Sequence, residues 1–331
     1  MRRFLVTVFL LGALLALGGA AAGLWWVYQP LRMPKAPVDL SIESGTLPRG
    51  VAQAVADAGV DVHPQLLFLW FRLSGQARDI KAGSYELEAG LSPHRLLTKL
   101  ARGEESLQAV TLVEGWTFKQ FRAALAKEPN LKPDTHGLPD TELMARVGRP
   151  GQHPEGRFFP DTYTYARGSS DVAVLQRALR AMDKRLAGAW EQRSPEAAVK
   201  SPEEALILAS IVEKETGKSA ERALVSAVFN NRLRIGMRLQ TDPTVIYGLG
   251  DAFDGNLRRA DLQNDTPWNT YTRPGLPPTP IAMPGKDSLL AAVRPADSKA
   301  VYFVARGDGS SQFSQTLEEH NRAVNKFQRG Q

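Results

Sequence analysis

Between Arg3 and Arg32 the chain carries no charged side chain, and "FLVTVFLLGALLALGGAAAGLWWVYQPL" fills that interval. About 20 apolar residues are enough to cross a bilayer as a helix, because in hydrocarbon every backbone polar group must find its partner within the segment. The run predicts a single transmembrane helix within residues 1–30. Arg2 and Arg3 mark a short cytoplasmic N-terminus, and Trp25, Trp26 and Tyr28 form an interfacial belt at the far side. Everything after Leu31 is then expected outside the cytoplasm, which argues against nucleic acid as a partner. A cleaved signal peptide processed at Ala20–Ala22 is the competing reading, but the apolar run continues through Leu24 and the aromatic pair beyond that site.

The rest of the 331-residue chain is long enough for more than one globular unit, and 43% apolar residues supply a core. There is no cysteine. Disulfides, a thiol nucleophile, a lipid-modified cysteine and a thiolate metal site are all excluded. A net charge of +6 favours an anionic partner, and its sign alone does not choose between an acidic polymer and lipid headgroups.

"QPLRMPKAP" has three prolines and two cations and reads as a stiff, extended linker over 31–37. A first domain is expected over 38–150. Val38, Leu40 and Ile42 alternate as a strand, Ser44 and Gly45 mark a turn, and Val51, Val55 and Ala58 follow at helical spacing. The pattern recurs at Val110 and Leu112, a turn at Glu114–Gly115, then Phe118, Phe121 and Leu125. Between the copies lie a short strand, Ser84–Leu87, and a helix capped by Ser92 with Pro93 in its first turn. Strand, helix, helix and strand in small units resemble LysM-type modules, which bind amino-sugar glycans; a domain that only spaces is the alternative. A connector over 132–154 leads to a second domain, 151–331, with a long amphipathic helix carrying Val172, Leu175, Leu179, Met182 and Leu186. The expected class is α+β: transmembrane helix, LysM-like subdomain, then a mixed α+β domain.

Within "SPEEALILASIVEKETG", Ser201 and Glu204 form a capping box, Pro202 takes the first helical position, and Gly217 is expected to stop the helix. Leu208, Ile211 and Val212 lie on one stripe, and Glu215 is its next member at helical spacing. Glu213 is rotated about 200° from it. A carboxyl beside apolar groups has its ionised form disfavoured and keeps a proton to donate near neutral pH, which makes Glu215 the candidate acid. Pairing of Glu215 with Lys214, Lys218 or Arg222 is the structural alternative, and Glu213 reads as solvated and charge-balancing. Downstream, Asp242 before Pro243 is expected as an N-cap, whereas Gln240 and Thr241 have no such local reason. "NDTPWNTYTRPGLPPTPIAMPG" is a proline-stiffened loop whose Trp268, Asn269 and Tyr271 suit sugar binding, or a rigid structural loop. His320 sits on a terminal helix boxed by Thr316 and Glu319. Several chemistries fail on spacing: Val212 stands where a phosphate loop needs glycine, the histidines form no HExxH, and neither GxSxG nor SxxK occurs.

"LASIVEKET", "VFNNRLRIGMRLQTDPTVIYG", "NTYTRPGLPPTPIAMPG", "YFVA" and "EHN", in that order, resemble the endolytic murein transglycosylase family, also called YceG-like proteins. The resemblance implies an inner-membrane protein with a periplasmic LysM-like subdomain and a catalytic domain that cuts nascent peptidoglycan strands internally, beside cell-wall synthases. It implies no metal or cofactor. Ile211, Glu215 and Thr216 fit the I-x-x-x-E-[ST] helix of related lytic transglycosylases, with Glu213 as reserve. Gln240, Thr241, Asn269, Tyr271 and Glu155 are the residues expected to hold glycan. A two-carboxylate muramidase and a membrane-tethered glycan-binding scaffold are the rival functions.

Overall fold

A computed structural model describes residues 2–34, 36–43 and 45–329, the side chains of Arg2, Arg3, Leu5, Val6 and Val8 excepted. Lys35 of the expected linker, Ser44 of the expected turn and the two leading arginine side chains lie outside the described residues. Helix α1 (Arg2–Tyr28) contains the stretch Phe9–Tyr28, which is long and apolar enough to cross a membrane. The chain then divides into two compact units, Met1–Gln108 with Thr164–Gly168, and Ala109–Tyr163 with Ser169–Gln331. The division falls at Gln108–Ala109 and not near residue 150. Val110, Leu112, Phe118, Phe121 and Leu125, read as the second copy of a repeat, are buried on the second unit's side of it.

In the first unit, β1 (Val38–Ile42) is followed by α2 (Pro48–Asp57), α3 (Pro64–Leu73), β2 (Gly83–Leu87) and α4 (Pro93–Arg102). The strands pair antiparallel, with Val38 opposite Leu87 and Leu40 opposite Tyr85. Alternation turns Val38, Leu40 and Ile42 inward, where they meet Val51 and Val55, Leu67 and Phe71, and Leu96, Leu97 and Leu100. Ser92 caps α4 by accepting from Arg95 N at 3.3 Å, and Gly103, at φ 69°, ends it in the left-handed region open to glycine.

Two features of this unit escape sequence reading. Helix α3, "PQLLFLWFRL", is apolar on almost every side, so neither a two-residue nor a 3.6-residue period stands out in it. The segment expected as a free linker is built into the body. Val27 and Leu31 are buried, Leu31 N donates to Leu91 O at 2.9 Å, and Asp61 N donates to Arg32 O at 2.8 Å. Proline content suggested an extended tether; burial of the apolar side chains at either end of Tyr28–Pro30 overrides it.

The chain passes from the first unit to the second within β3 (Leu107–Thr111), back within β4 (Thr162–Ala166), and into the second again after Gly168. The second unit holds α5 (Phe118–Ala126), α6 (Asp140–Arg146), α7 (Asp171–Glu191), α8 (Pro202–Glu215), α9 (Arg222–Arg234), α10 (Asp242–Leu249), α11 (Arg259–Gln263) and α12 (Lys286–Val293). A hairpin of β5 (Tyr302–Ala305) and β6 (Ser311–Ser314) and the closing helix α13 (Leu317–Gln328) complete it. Helix α8 is its axis, since Ala205 through Val212 are all buried, with α7, α9 and α12 packed around it. It therefore has no single apolar stripe. The phase that separated Glu215 from Glu213 decides which neighbours each meets, not which of them is enclosed.

The ends of α8 also depart from expectation. Ser201 accepts from Glu204 N at 3.2 Å as a cap should, but Glu204 accepts from Lys200 N at 2.6 Å, one residue past the reciprocal bond to Ser201 N. At the other end Thr216 turns extended and donates its hydroxyl to Val212 O at 2.7 Å. Thr216, not Gly217, stops the helix, and Glu215 becomes its last residue.

Candidate active site

A carboxylate at the last position of a buried helix faces two penalties. Burial disfavours its charge, and so does the negative end of the helix dipole. In Glu215 burial is the largest cause raising its affinity for a proton above the ordinary carboxylate range; Asp242 adds to it, while Thr241 and Arg232 act against it. Thr241 donates its hydroxyl to Glu215 Oε1. No described residue hydrogen-bonds Oε2, which leaves that oxygen to carry a transferable proton. None of the cations weighed from sequence is its partner: Lys214 Nζ donates to Gly115 O at 3.3 Å, Arg222 faces Asp287 at 3.5 Å, and Lys218 lies along Gly309.

Thr241 is held as firmly as the acid. It is the N-cap residue of α10, yet its hydroxyl makes no cap bond because Glu215 takes it. Thr270 Oγ1 accepts from Thr241 N at 3.1 Å and lies 2.9 Å from Thr244 Oγ1, and Thr244 donates to Thr241 O at 2.7 Å. All three threonines are buried. The neighbouring Gln240 is exposed and adopts φ 48°, the left-handed region that a non-glycine residue enters at a cost of about 1–3 kcal/mol. Arg232 is buried too, with Nε donating to Val301 O at 2.7 Å and Nη1 to Leu239 O at 2.5 Å, so its charge is fixed near the acid by carbonyls.

Asp242, expected as the cap, is instead the first residue of α10 and accepts from Tyr271 Oη at 2.6 Å. Burial, then Asp242, pushes that phenol well above its usual range, so Tyr271 stays a neutral donor. Asn269 is fully buried. Its Nδ2 donates to Asn264 O at 2.7 Å and Leu262 O at 3.1 Å, and its Oδ1 accepts from Tyr271 N at 2.8 Å. The amide is committed to the loop's own backbone.

Glu213 is not a solvated residue, for its side chain is only 9% exposed. Its Oε2 accepts from Gly285 N at 2.9 Å, and Arg222 stands 4.0 Å from Oε1. Glu213 thus ties α8 to the start of α12. His320 is set by packing: its ring stacks on Tyr302 at 5.1 Å, and burial, then Arg232, lowers its proton affinity.

A cleft of about 1170 Å³ opens beside this group, walled by Phe118, Lys119, Glu155, Lys214, Tyr247 and Trp268. Glu215 is not on its lining, but Lys214 precedes it and Pro243, also on the wall, follows Thr241 by two residues. Glu155 is 4% exposed, accepts from Phe118 N through both oxygens at 3.0 and 3.2 Å, and meets the Tyr247 hydroxyl. Burial raises its pKa to about 7.

The YceG-like family model matches residues 40–326, which take in both units and every residue of the site. The chain belongs to the YceG-like family. It is 31% identical over 310 residues to the endolytic murein transglycosylase of Bacillus subtilis strain 168, covering 88% of this chain and 85% of that protein. It is 28% identical over 370 residues to the endolytic murein transglycosylase of Streptococcus pneumoniae serotype 2 strain D39, covering 96% of this chain and 65% of that longer protein. A crystal structure of a yceG-like protein from Listeria monocytogenes superposes with a TM-score of 0.56 at 30% identity, over 86% of this chain and 98% of the other. In this YceG-like chain three of the strings that carried the resemblance converge on one place: the first brings Glu215, the second Arg232 and Thr241, the third Thr270 and Tyr271. Arg232, Thr244 and Thr270 were missed from sequence because nothing in spacing distinguishes a buried arginine or threonine from a surface one.

Proposed function

We propose that the chain is an endolytic lytic transglycosylase, cleaving the bond between N-acetylmuramic acid and N-acetylglucosamine in nascent peptidoglycan to leave 1,6-anhydro ends and terminate strand elongation. The observation that carries this reading is the state of Glu215: one enclosed carboxyl, one oxygen held by Thr241, the other open, in a chain whose relatives are named endolytic murein transglycosylases.

Glu215 acts first as general acid. Its Oε2 proton passes to the glycosidic oxygen, and N-acetylglucosamine leaves with a free 4-hydroxyl. The ionised carboxylate, now favoured by the Thr241 hydroxyl and the Arg232 charge, takes the proton of the muramic C6 hydroxyl as that oxygen bonds to C1. Glu215 ends reprotonated, and one carboxyl serves both halves of the cycle, where hydrolases ordinarily need two. Gln240, Thr241 and Tyr271 border the acid and position glycan, Glu155 serves from the cleft wall, and Asn269 contributes by holding the loop that carries Tyr271. Helix α1 anchors the protein in the inner membrane with its N-terminus cytoplasmic and both units periplasmic, alongside cell-wall synthases. The first unit acts as the LysM-like subdomain.

Mass spectrometry of peptidoglycan digested by wild type, Glu213→Gln and Glu215→Gln tests the reading. Anhydro ends from wild type and Glu213→Gln, and none from Glu215→Gln, are expected. Reducing muramic ends would identify a two-carboxylate muramidase, and an unaltered cellular phenotype in Glu215→Gln would identify a binding scaffold.

A further inference from the structure

Helix α3 presents an apolar surface that its own unit does not cover. Leu66, Leu69 and Leu73 are 53%, 49% and 74% exposed, while Leu67 and Phe71 on the opposite side fill the core. Leu66 and Leu73 flank Trp70 at spacings of four and three, so the three side chains lie along one line of the helix. That line leads to the end of α1: the Trp70 ring lies 6.2 Å from the His94 ring, and His94 lies 5.1 Å from Tyr28, the last residue of α1. Trp70 Nε1 donates to Pro93 O at 3.2 Å, so its polar edge is satisfied, and its half-buried ring packs against the core with its remaining surface beside the exposed leucines. The helix contains no acidic residue and carries Arg72, exposed, in its last turn.

We propose that the α3 face of Leu66, Leu69, Trp70 and Leu73 lies in the headgroup–acyl boundary of the bilayer that α1 crosses. The occupant is lipid because the apolar line is continuous, through Tyr28 and His94, with the exposed apolar surface of Leu24 and Trp25 on α1, and because Arg72 stands beside it with no carboxylate on the helix to repel anionic headgroups. Val27, Leu31 and the Arg32–Asp61 bridge fix the first unit to the end of α1, so the face is held there and does not drift on a tether. Helices of this type sink about 5–10 Å into the interface. The inference rests on α1 being a membrane anchor.

The absence of cysteine allows single labels in the full-length chain. Leu66→Cys, Leu69→Cys and Leu73→Cys, each carrying an environment-sensitive fluorophore, are reconstituted in phosphatidylethanolamine–phosphatidylglycerol vesicles. Leu14→Cys reports α1, and Ser41→Cys reports the exposed strand face opposite the helices. Strong quenching of the three α3 labels by lipid nitroxides placed high on the acyl chain, with protection from an aqueous quencher, is expected. Deep nitroxides should quench the Leu14 label, and neither lipid probe the Ser41 label. If the Leu14 label is quenched while the α3 labels behave like Ser41, the anchor stands and the proposal falls. Labels shielded from the aqueous quencher but untouched by lipid nitroxides would place a second copy or another protein on this face, and would equally overturn it. Loss of Leu14 quenching with the α3 labels still quenched would refute the anchor, and with it the proposal, since the face would then meet lipid without a crossing α1.

Discussion

Thr241 Oγ1 donates to Glu215 Oε1, and in doing so leaves α10 without the side-chain cap that a threonine at that position would otherwise supply. A hydrogen bond to the ionised form lowers a carboxyl's pKa, so Thr241 restrains a proton affinity that burial raises. Thr241→Val should therefore move the alkaline limb of the activity profile upward by about one to two pH units, since a hydrogen bond to a charged group is worth about 1.5–3 kcal/mol. Thr241→Ser, which keeps the hydroxyl, should leave the limb in place. The pH dependence of anhydro-end formation is the measurement.

Glu213 and Glu215 separate by what each loses on neutralisation. Glu215→Gln removes the transferable proton and should depress turnover by roughly 10²–10⁴-fold, the ordinary contribution of a general acid or base, with little change in melting temperature. Glu213→Ala strands Gly285 N–H and removes one of the carboxylates that face Arg222. It should cost about 1–3 kcal/mol of stability, read by denaturant unfolding, while the soluble fraction still yields anhydro products.

How much of this was readable in advance differs from element to element. The apolar helix α1, the strands of the first unit, α4 with its Ser92 cap and α13 with its Thr316–Glu319 box all lay on the surface of the sequence, because each depends on residues near one another. The relation between Glu213 and Glu215 did not. Period analysis assumes that a helix has a wet side, and α8 has none between Ala205 and Val212. Asn269 was read as a sugar ligand because an amide in a proline-rich loop has the same sequence signature whether it faces solvent or organises the turn. Only tertiary placement shows that its hydrogen bonds are committed inward.

Glu155 gives a stability prediction with a definite sign. Its pKa is ordinarily 4.5 and rises to about 7 in the fold through burial, so between those values the folded protein holds a proton that the unfolded chain has lost. Stability attributable to this group is complete below about pH 4.5 and declines as pH rises through 7, by about 3 kcal/mol in all. Glu155→Gln keeps an acceptor for Phe118 N–H and cannot ionise. The stability of wild type should fall relative to that of the variant across this window, as followed by unfolding at fixed ionic strength.

Asn269→Ala leaves the carbonyls of Asn264 and Leu262 and the N–H of Tyr271 without their partner. A buried polar group so orphaned costs about 1–3 kcal/mol, and more than one is affected. The variant should melt lower and lose activity through the displaced Tyr271. Asn269→Asp retains the acceptor for Tyr271 N–H but sets its second carboxylate oxygen against the same carbonyls, so it should be no better tolerated. Thermal unfolding beside kcat and KM separates this organising role from a direct sugar contact, which would raise KM without lowering the melting temperature.

The buried positions of Val27 and Leu31 bear on how a soluble fragment is to be cut. Trimming just past the last aromatic residue of α1 is the usual choice, and a fragment opening at Gln29 would lack the Val27 side chain, while one opening at Val38 would lack both. The boundary that respects the body lies upstream of Val27, with the exposed Leu24 and Trp25 either removed or exchanged for polar residues.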